Sequence, residues 1–183
     1  MRKINALIVG STGYIGIQLI KILKNHKYVN IKYLCGNSSI GKKISYYDKD
    51  LKVKKLPKII KFNKKLLEDV EVIFTALPNG ESQKISKLLL KHNILIDLSA
   101  DFRLRKSSNF YKWYKLKHQA KNMIKKIIYY LPEIKRIKIN KFKIISCPGC
   151  YPTSILLPLI PLIKANFISN NNKSINIESI QNI

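Results

Sequence analysis

Residues Ile4 to Val9 form an apolar run that ends at Gly10, and the stretch Tyr14 to Lys24 places Ile15, Leu19, Ile22 and Leu23 at i, i+4, i+7 and i+8. That pattern predicts a buried strand, a glycine loop and an amphipathic helix. Val29 to Leu34 reads as a second strand and Val70 to Leu77 as a third, closed by Pro78-Asn79-Gly80. Glu81 to His92 is expected to be a helix with Ile85, Leu88 and Leu89 on one face, followed by a strand at Ile94 to Leu98. Ser107 to His118 is an aromatic-rich helical element whose rings, from Phe110 to Tyr114, are expected in the core. A short extended piece at Tyr129 to Glu133 and a strand at Phe142 to Cys147 complete the series. Residues 44 to 68 are basic, irregular and without an assignable element. Strands alternating with helices imply an α/β fold, a Rossmann-like doubly wound and mostly parallel sheet. Its expected extent is residues 1–147; residues 148–183 hold a further helix and, at Ile175 to Ile180, the start of a strand.

With 183 residues, 46% of them apolar, the chain can bury a substantial core. Cysteines at 35, 147 and 150 form no disulfide framework, so a reducing, cytoplasmic setting is the expectation. The longest apolar stretch, Ile155 to Ile163, is interrupted by Pro158 and Pro161 and falls short of the roughly 20 residues of a membrane-spanning helix. The net charge is +25, from 35 Lys plus Arg against 10 Asp plus Glu. The lysines are spread over the whole chain, with no stacking motif of aromatics among them, so no specific nucleic-acid partner is expected. A basic surface still steers anionic ligands toward the protein.

Three patterns carry chemistry. The first is Gly10-Ser11-Thr12-Gly13-Tyr14-Ile15-Gly16, with glycines at three-residue intervals where strand gives way to helix. Gly10 suits a tight turn, Gly13 the approach of a pyrophosphate, and Gly16 close packing of helix on strand; the alternative is a purely structural turn. The second is the end of the second strand, Cys35-Gly36-Asn37-Ser38-Ser39 and then Gly41-Lys42-Lys43. It lacks the carboxylate that would bind a ribose 2′-hydroxyl, and its hydroxyls and cations favour NADP, unless the segment is merely a solvated loop. Leu77 and Pro78 at the third strand's end, and Ser99 at the next, complete the candidate cofactor contacts, Gly10 to Gly16 with Ser38 and Ser39 being the others. Asp101 and Arg103 are open between direct ligands and a loop-bracing ion pair.

The third pattern is Pro148-Gly149-Cys150-Tyr151-Pro152-Thr153. A Pro-Gly turn before Cys150 and an apolar run after it put the thiol at a helix N-terminus, where unpaired N–H groups and the helix dipole favour a thiolate. The alternative is a small buried hydrophobe. The histidines, His26, His92 and His118, all precede Cys150, and no metal site is expected.

Together these motifs resemble the N-acetyl-gamma-glutamyl-phosphate reductase family of the semialdehyde dehydrogenase superfamily. The matching pieces are Val9-Gly10-Ser11-Thr12-Gly13-Tyr14 through Gly16, Ala76-Leu77-Pro78 with Gly80 and Ser82, Asp97-Leu98-Ser99-Ala100-Asp101-Phe102-Arg103, Trp113-Tyr114, Leu131-Pro132-Glu133 and Pro148 to Thr153. The resemblance implies that Cys150 is the nucleophile, that the glycine loop holds NADP(H), and that an acyl-phosphate substrate is reduced to N-acetylglutamate semialdehyde through a thioester. It also implies a second α+β catalytic and dimerisation domain carrying a catalytic histidine, of which residues 148–183 would be only the beginning, and a homo-oligomer once that domain is supplied. Asn79, Tyr130 and Cys147 depart from the family's His, Gly and Asn. A catalytically incomplete NADP-binding remnant, half of a split enzyme, or a basic nucleic-acid-binding module are the other readings.

Overall fold

The computed structural model describes residues 2–38, 40–52, 55–168 and 177–178. Its centre is β1 (Ile4–Val9), whose last four residues are buried on both faces. An unbroken apolar run is what a central parallel strand requires, because helices cover both sides of the sheet. Around it stand β2 (Val29–Cys35), β3 (Ile59–Ile60), β4 (Val72–Thr75), β5 (Ile94–Asp97), β6 (Ile127–Tyr129) and β7 (Ile144–Ser146) in the order β3-β2-β1-β4-β5-β7-β6. Every pairing is parallel. The chain runs outward from β1 through β2 to β3, then returns to the other side of β1 as β4, so the topological switch lies between β1 and β4.

The period-two alternation of the strands sorts the core into two halves. Leu7, Val9, Ile73, Leu95 and Ile144 face one cluster, whereas Ala6, Ile8, Ile31, Leu34 and Phe74 face the other. Among its described residues, the stretch 44–68, unassigned by pattern, supplies four core side chains: Ile44, Leu51, Ile59 and Leu67 are all buried. They hang from short 3₁₀ turns at Ile44–Tyr46, Lys49–Leu51 and Lys64–Asp69 and from β3 itself. Elements this short have no readable period, and the lysines around them conceal the few apolar anchors.

The helices differ from expectation in instructive ways. The first, α1 (Tyr14–Leu23), buries Gly16, Ile20 and Leu23, while Ile15 and Ile22 are 49% and 69% exposed. The expected face, Ile15-Leu19-Ile22-Leu23, is therefore rotated by about one residue. The cause is Gly16, where a Cβ would stand 2.2 Å from the Gly10 carbonyl oxygen, so this position must face inward and turns the rest of the helix with it. The second, α2 (Glu81–Ser86), stops six residues before His92. The Ser86 hydroxyl donates to the Gln83 carbonyl at 2.8 Å, and Leu88 N–H closes on Ile85 in a tighter turn, so the helical ladder ends there.

In α3 (Ser107–Tyr114) only Phe110 is fully buried; Tyr111 and Trp113 are 54% and 71% exposed, contrary to the core role expected of these rings. Two helical turns offer a single inward face. Phe110 and Tyr114 occupy it with centroids 4.9 Å apart, and the rings at i+1 and i+3 point outward. The last helix among the described residues is α4 (Cys150–Lys164), and none of its residues is fully buried. The expected strand at Ile175 to Ile180 lies outside the described residues, apart from 177 and 178. No helix among the described residues is long and apolar enough to cross a membrane.

Candidate active site

The glycine loop is held by the strand beside it. The Gly10 and Ser11 N–H groups both donate to the Cys35 carbonyl, at 3.0 and 3.1 Å, and the Ser11 hydroxyl donates there too, at 3.0 Å. Ser11 is wholly buried and acts as a pin on β2. Gly10 takes φ +86°, and a Cβ there would lie 2.1 Å from the Ala76 carbonyl oxygen. The chain can turn back toward α1 only with hydrogen at that position. Gly13, the residue preceding α1, is uncrowded: a Cβ there would meet Gly10 O at an ordinary contact distance of 3.6 Å. The first-turn N–H groups of α1, at Tyr14, Ile15 and Gly16, have no intrahelical acceptor and stand at the positive end of the helix dipole. Tyr14 itself is 80% exposed. Such a loop suits a pyrophosphate: tight backbone, an open central glycine, unpaired donors and no acidic residue in the first turn.

Beside the loop is a cleft of about 310 Å³ at the switch between β1 and β4. Gly10 and Thr12 form its floor, Gly36 and Asn37 beyond β2 one wall, and Leu77 beyond β4 the other. Lys61 and Phe62, following β3, close the outer end. Sequence reasoning missed both, because β3 is only two residues long. Glu81 and Lys84 of α2 also line the cleft, but they pair with each other at 2.6 Å. Pro78 opens the turn from β4 into α2, with its carbonyl accepting from Glu81 N–H at 3.3 Å. Ser38 is exposed beyond Asn37, and Ser39 lies outside the described residues. The Lys42 ammonium sits over the Tyr46 ring, 4.1 Å from its centroid, and neither Lys42 nor Lys43 lines the cleft. The groups present fit a dinucleotide's adenosine half.

At the β5 end the predicted polar residues form a bracing network. Asp97, wholly buried, accepts from the Thr75 hydroxyl at 2.9 Å and from the Ser99 hydroxyl at 2.7 Å; burial pushes its carboxyl above the ordinary range. Ser99 is thus engaged inward. Asp101 accepts from Gly80 N–H at 2.6 Å and Gln83 N–H at 3.2 Å, capping the start of α2. Arg103 donates through Nε to the Cys147 carbonyl at 3.1 Å and through Nη2 to the Leu98 carbonyl at 3.2 Å. The two residues brace loops without pairing with each other. Each was open between a direct ligand and an ion pair, and the contacts show a third arrangement.

Arg103 leads to the nucleophile candidate. Cys147 N–H donates to the Asp97 carbonyl at 2.9 Å while its own carbonyl is held by Arg103, so the loop after β7 is fixed on both sides of one residue. The guanidinium lies under Gly149, 2.9 Å from where a Cβ would be. Cys150 then opens α4 and is exposed, which rules out a buried small hydrophobe. The other two thiols are different: burial pushes Cys35 up to about 12, and burial together with the neighbouring Asp97 charge pushes Cys147 up to about 11. Brief iodoacetamide treatment near neutral pH should therefore alkylate Cys150 well ahead of Cys35 and Cys147. Peptide mass mapping would show otherwise if either of those reacted first.

The histidines are occupied elsewhere. His118 is buried, edge-on to Phe102 and Phe110 with centroids 5.6 and 5.2 Å away. Its Nδ1 accepts from Ala120 N–H at 3.2 Å, which leaves Nε2 as the donor to the Asp101 carbonyl at 3.0 Å. Desolvation holds it below the ordinary 6.5. The folded state thus disfavours the protonated ring, and the stability tied to the neutral form is complete above about pH 6.5 and is lost as pH falls below it. Thermal unfolding followed from about pH 7.5 to 5.5 should show this decline, and His118→Gln, which keeps an N–H for Asp101, should flatten it. An unchanged slope in the variant would refute the assignment. His92 Nε2 contacts the Leu67 carbonyl at 3.1 Å, and His26 Nδ1 accepts from Tyr28 N–H at 3.2 Å.

Comparison with known proteins agrees with this geometry. Residues 5–142 match the family model "Semialdehyde dehydrogenase, NAD binding domain". The N-acetyl-gamma-glutamyl-phosphate reductase of Ehrlichia ruminantium (strain Gardel) is 40% identical over 174 residues, covering 93% of this chain and 49% of that protein. The probable chloroplastic N-acetyl-gamma-glutamyl-phosphate reductase of Arabidopsis thaliana is 36% identical over 172 residues, covering 94% of this chain and 43% of that one. The chain spans about half the length of the curated relatives it matches. Among solved structures, aspartate semialdehyde dehydrogenase with NADP from Candida albicans superposes with TM-score 0.59 at 18% identity, covering 88% of this chain and 47% of that one, a likeness of fold. With the switch-point cleft, the glycine cradle and three quarters of its length matched by the family model, the chain belongs to the semialdehyde dehydrogenase NAD-binding domain family.

Proposed function

We propose that this chain is the nucleotide-binding and nucleophile-bearing part of an NADPH-dependent reductase that converts N-acetyl-gamma-glutamyl phosphate to N-acetylglutamate semialdehyde. The observation that carries the reading is the exposed Cys150 at the start of α4, on the same sheet edge as the glycine cradle. From β1 to β7 there are three inter-strand steps. At about 4.8 Å each, the two strand ends stand about 14 Å apart, a span for an extended dinucleotide crossing the switch point.

In this reading the N–H groups at Tyr14, Ile15 and Gly16 hold the pyrophosphate, Gly36 and Asn37 flank the adenosine ribose, and Leu77 packs against the adenosine. The absence of an unpaired carboxylate beyond β2 suits NADP. Residues 1–147 form the NADP-binding domain and 148–183 the start of a catalytic one. Cys150 Sγ attacks the acyl carbon; the C–S bond forms as the C–O bond to phosphate breaks, and phosphate leaves. The α4 N-terminus supplies backbone N–H groups to the sulfur and to oxygen charge developing beside it. NADPH, when bound, supplies the hydride that reduces the thioester carbon. C–S cleavage then releases the aldehyde and returns the thiolate.

The setting is cytoplasmic, and the assembled enzyme is a homo-oligomer with no specific nucleic-acid partner. A binding-only role is the second reading, and the three occupied histidines favour it, because none is left to protonate the developing alkoxide. The deciding assay is phosphate-dependent reduction of NADP by the semialdehyde, measured with this chain alone and with the remaining half of a relative added. Activity in either sample supports the reductase. Nucleotide binding with no turnover in both leaves only the binding role.

A further inference from the structure

Among the described residues, Lys61 is the one lysine lining the nucleotide cleft that has no acidic partner. The other cation in the lining, Lys84, is paired with Glu81 at 2.6 Å, whereas Lys61 enters none of the ion pairs among the described residues. Its backbone position is fixed: Cys35 pairs with Ile60, and Gly36 N–H donates to the Ile60 carbonyl at 3.2 Å, so Lys61 emerges opposite Gly36. In doubly wound nucleotide sites, the residue after the second strand is where the adenosine ribose presents its 2′ position. Here that position is Gly36-Asn37, which carries no charge of its own, and β3 brings an exposed ammonium alongside from the next strand. Phe62, the neighbouring residue, is partly buried against the core, so the backbone that carries Lys61 is anchored while its side chain is not.

We propose that Lys61 is the specificity-determining residue of the cleft, its ammonium binding the 2′-phosphate that distinguishes NADP from NAD. The inference rests on the dinucleotide reading above and assigns to Lys61 the discrimination that the chain sequence suggested for the hydroxyls of Ser38 and Ser39 and the cations Lys42 and Lys43. The Lys42 ammonium is stacked on Tyr46, and Lys43 is outside the cleft.

The probes are adenosine 2′,5′-bisphosphate and 5′-AMP, which differ by the 2′-phosphate alone, titrated calorimetrically into the full chain. The wild-type protein should prefer the bisphosphate, and Lys61→Ala should weaken it about tenfold, the value of one charge-assisted hydrogen bond, while leaving 5′-AMP affinity unchanged. Lys61→Arg should restore the preference, and Lys42→Ala should not affect it. Loss of both affinities in Lys61→Ala, or an undiminished bisphosphate preference, overturns the assignment with the dinucleotide reading intact. Failure of the wild-type chain to bind either nucleotide overturns both.

Discussion

Gly10→Ala should destabilise the protein by about 3–5 kcal/mol, read as a fall in the urea midpoint at unchanged slope. Two effects add. At φ +86° an L side chain is strained whatever space surrounds it. In addition, the new methyl would meet Ala76 O at 2.1 Å and Ala76 C at 2.8 Å, backbone atoms that cannot rotate away, so β1 and β4 would have to separate at their ends. Against a total stability of about 5–15 kcal/mol, that is a large fraction. Gly13→Ala is the contrasting variant. Its φ is −74° and its nearest neighbour would be 3.6 Å away, so stability should change by no more than about 0.5 kcal/mol. Its methyl would project into the space offered to the pyrophosphate, and nucleotide affinity should fall. Equal stabilities for the two variants would contradict this account of the loop.

Cys150→Ser should leave the fold and nucleotide binding intact and abolish acyl transfer. The side chain is exposed, so unfolding should shift by less than about 0.5 kcal/mol. An alcohol needs a base to take its proton before it attacks an acyl carbon, whereas sulfur is intrinsically the stronger nucleophile. In the reductase proposed above, turnover in the complemented assay should drop by at least about 10⁴-fold. A serine variant with a tenth of the wild-type rate would mean that another group forms the covalent bond.

The residues that could be read from sequence are those whose role is set by their immediate neighbours. Gly10 and Gly16 announce a loop because a strand precedes them and a helix follows, and Cys150 announces a helix start because Pro148-Gly149 turns the chain in front of it. What stayed hidden depends on contacts distant in the chain. Lys61 reaches the cleft only because a two-residue strand pairs with β2, and no periodicity marks two residues. The inward face of α1 follows from one glycine's approach to Gly10 O, and the apolar pattern alone placed it one residue away. Asp101 and Arg103, adjacent enough to suggest a mutual ion pair, are drawn apart by backbone partners: the start of α2 for one and the loop after β7 for the other.

The most direct test of Cys150 as the nucleophile is intact-mass and peptide-mass measurement of the chain after incubation with N-acetyl-gamma-glutamyl phosphate, without nucleotide, so that acylation can occur but reduction cannot. The expected result is a single acyl group on Cys150, removed by hydroxylamine and absent from Cys150→Ser. An adduct on Cys147, Cys35 or a lysine in its place, or the same adduct on the serine variant, would contradict it.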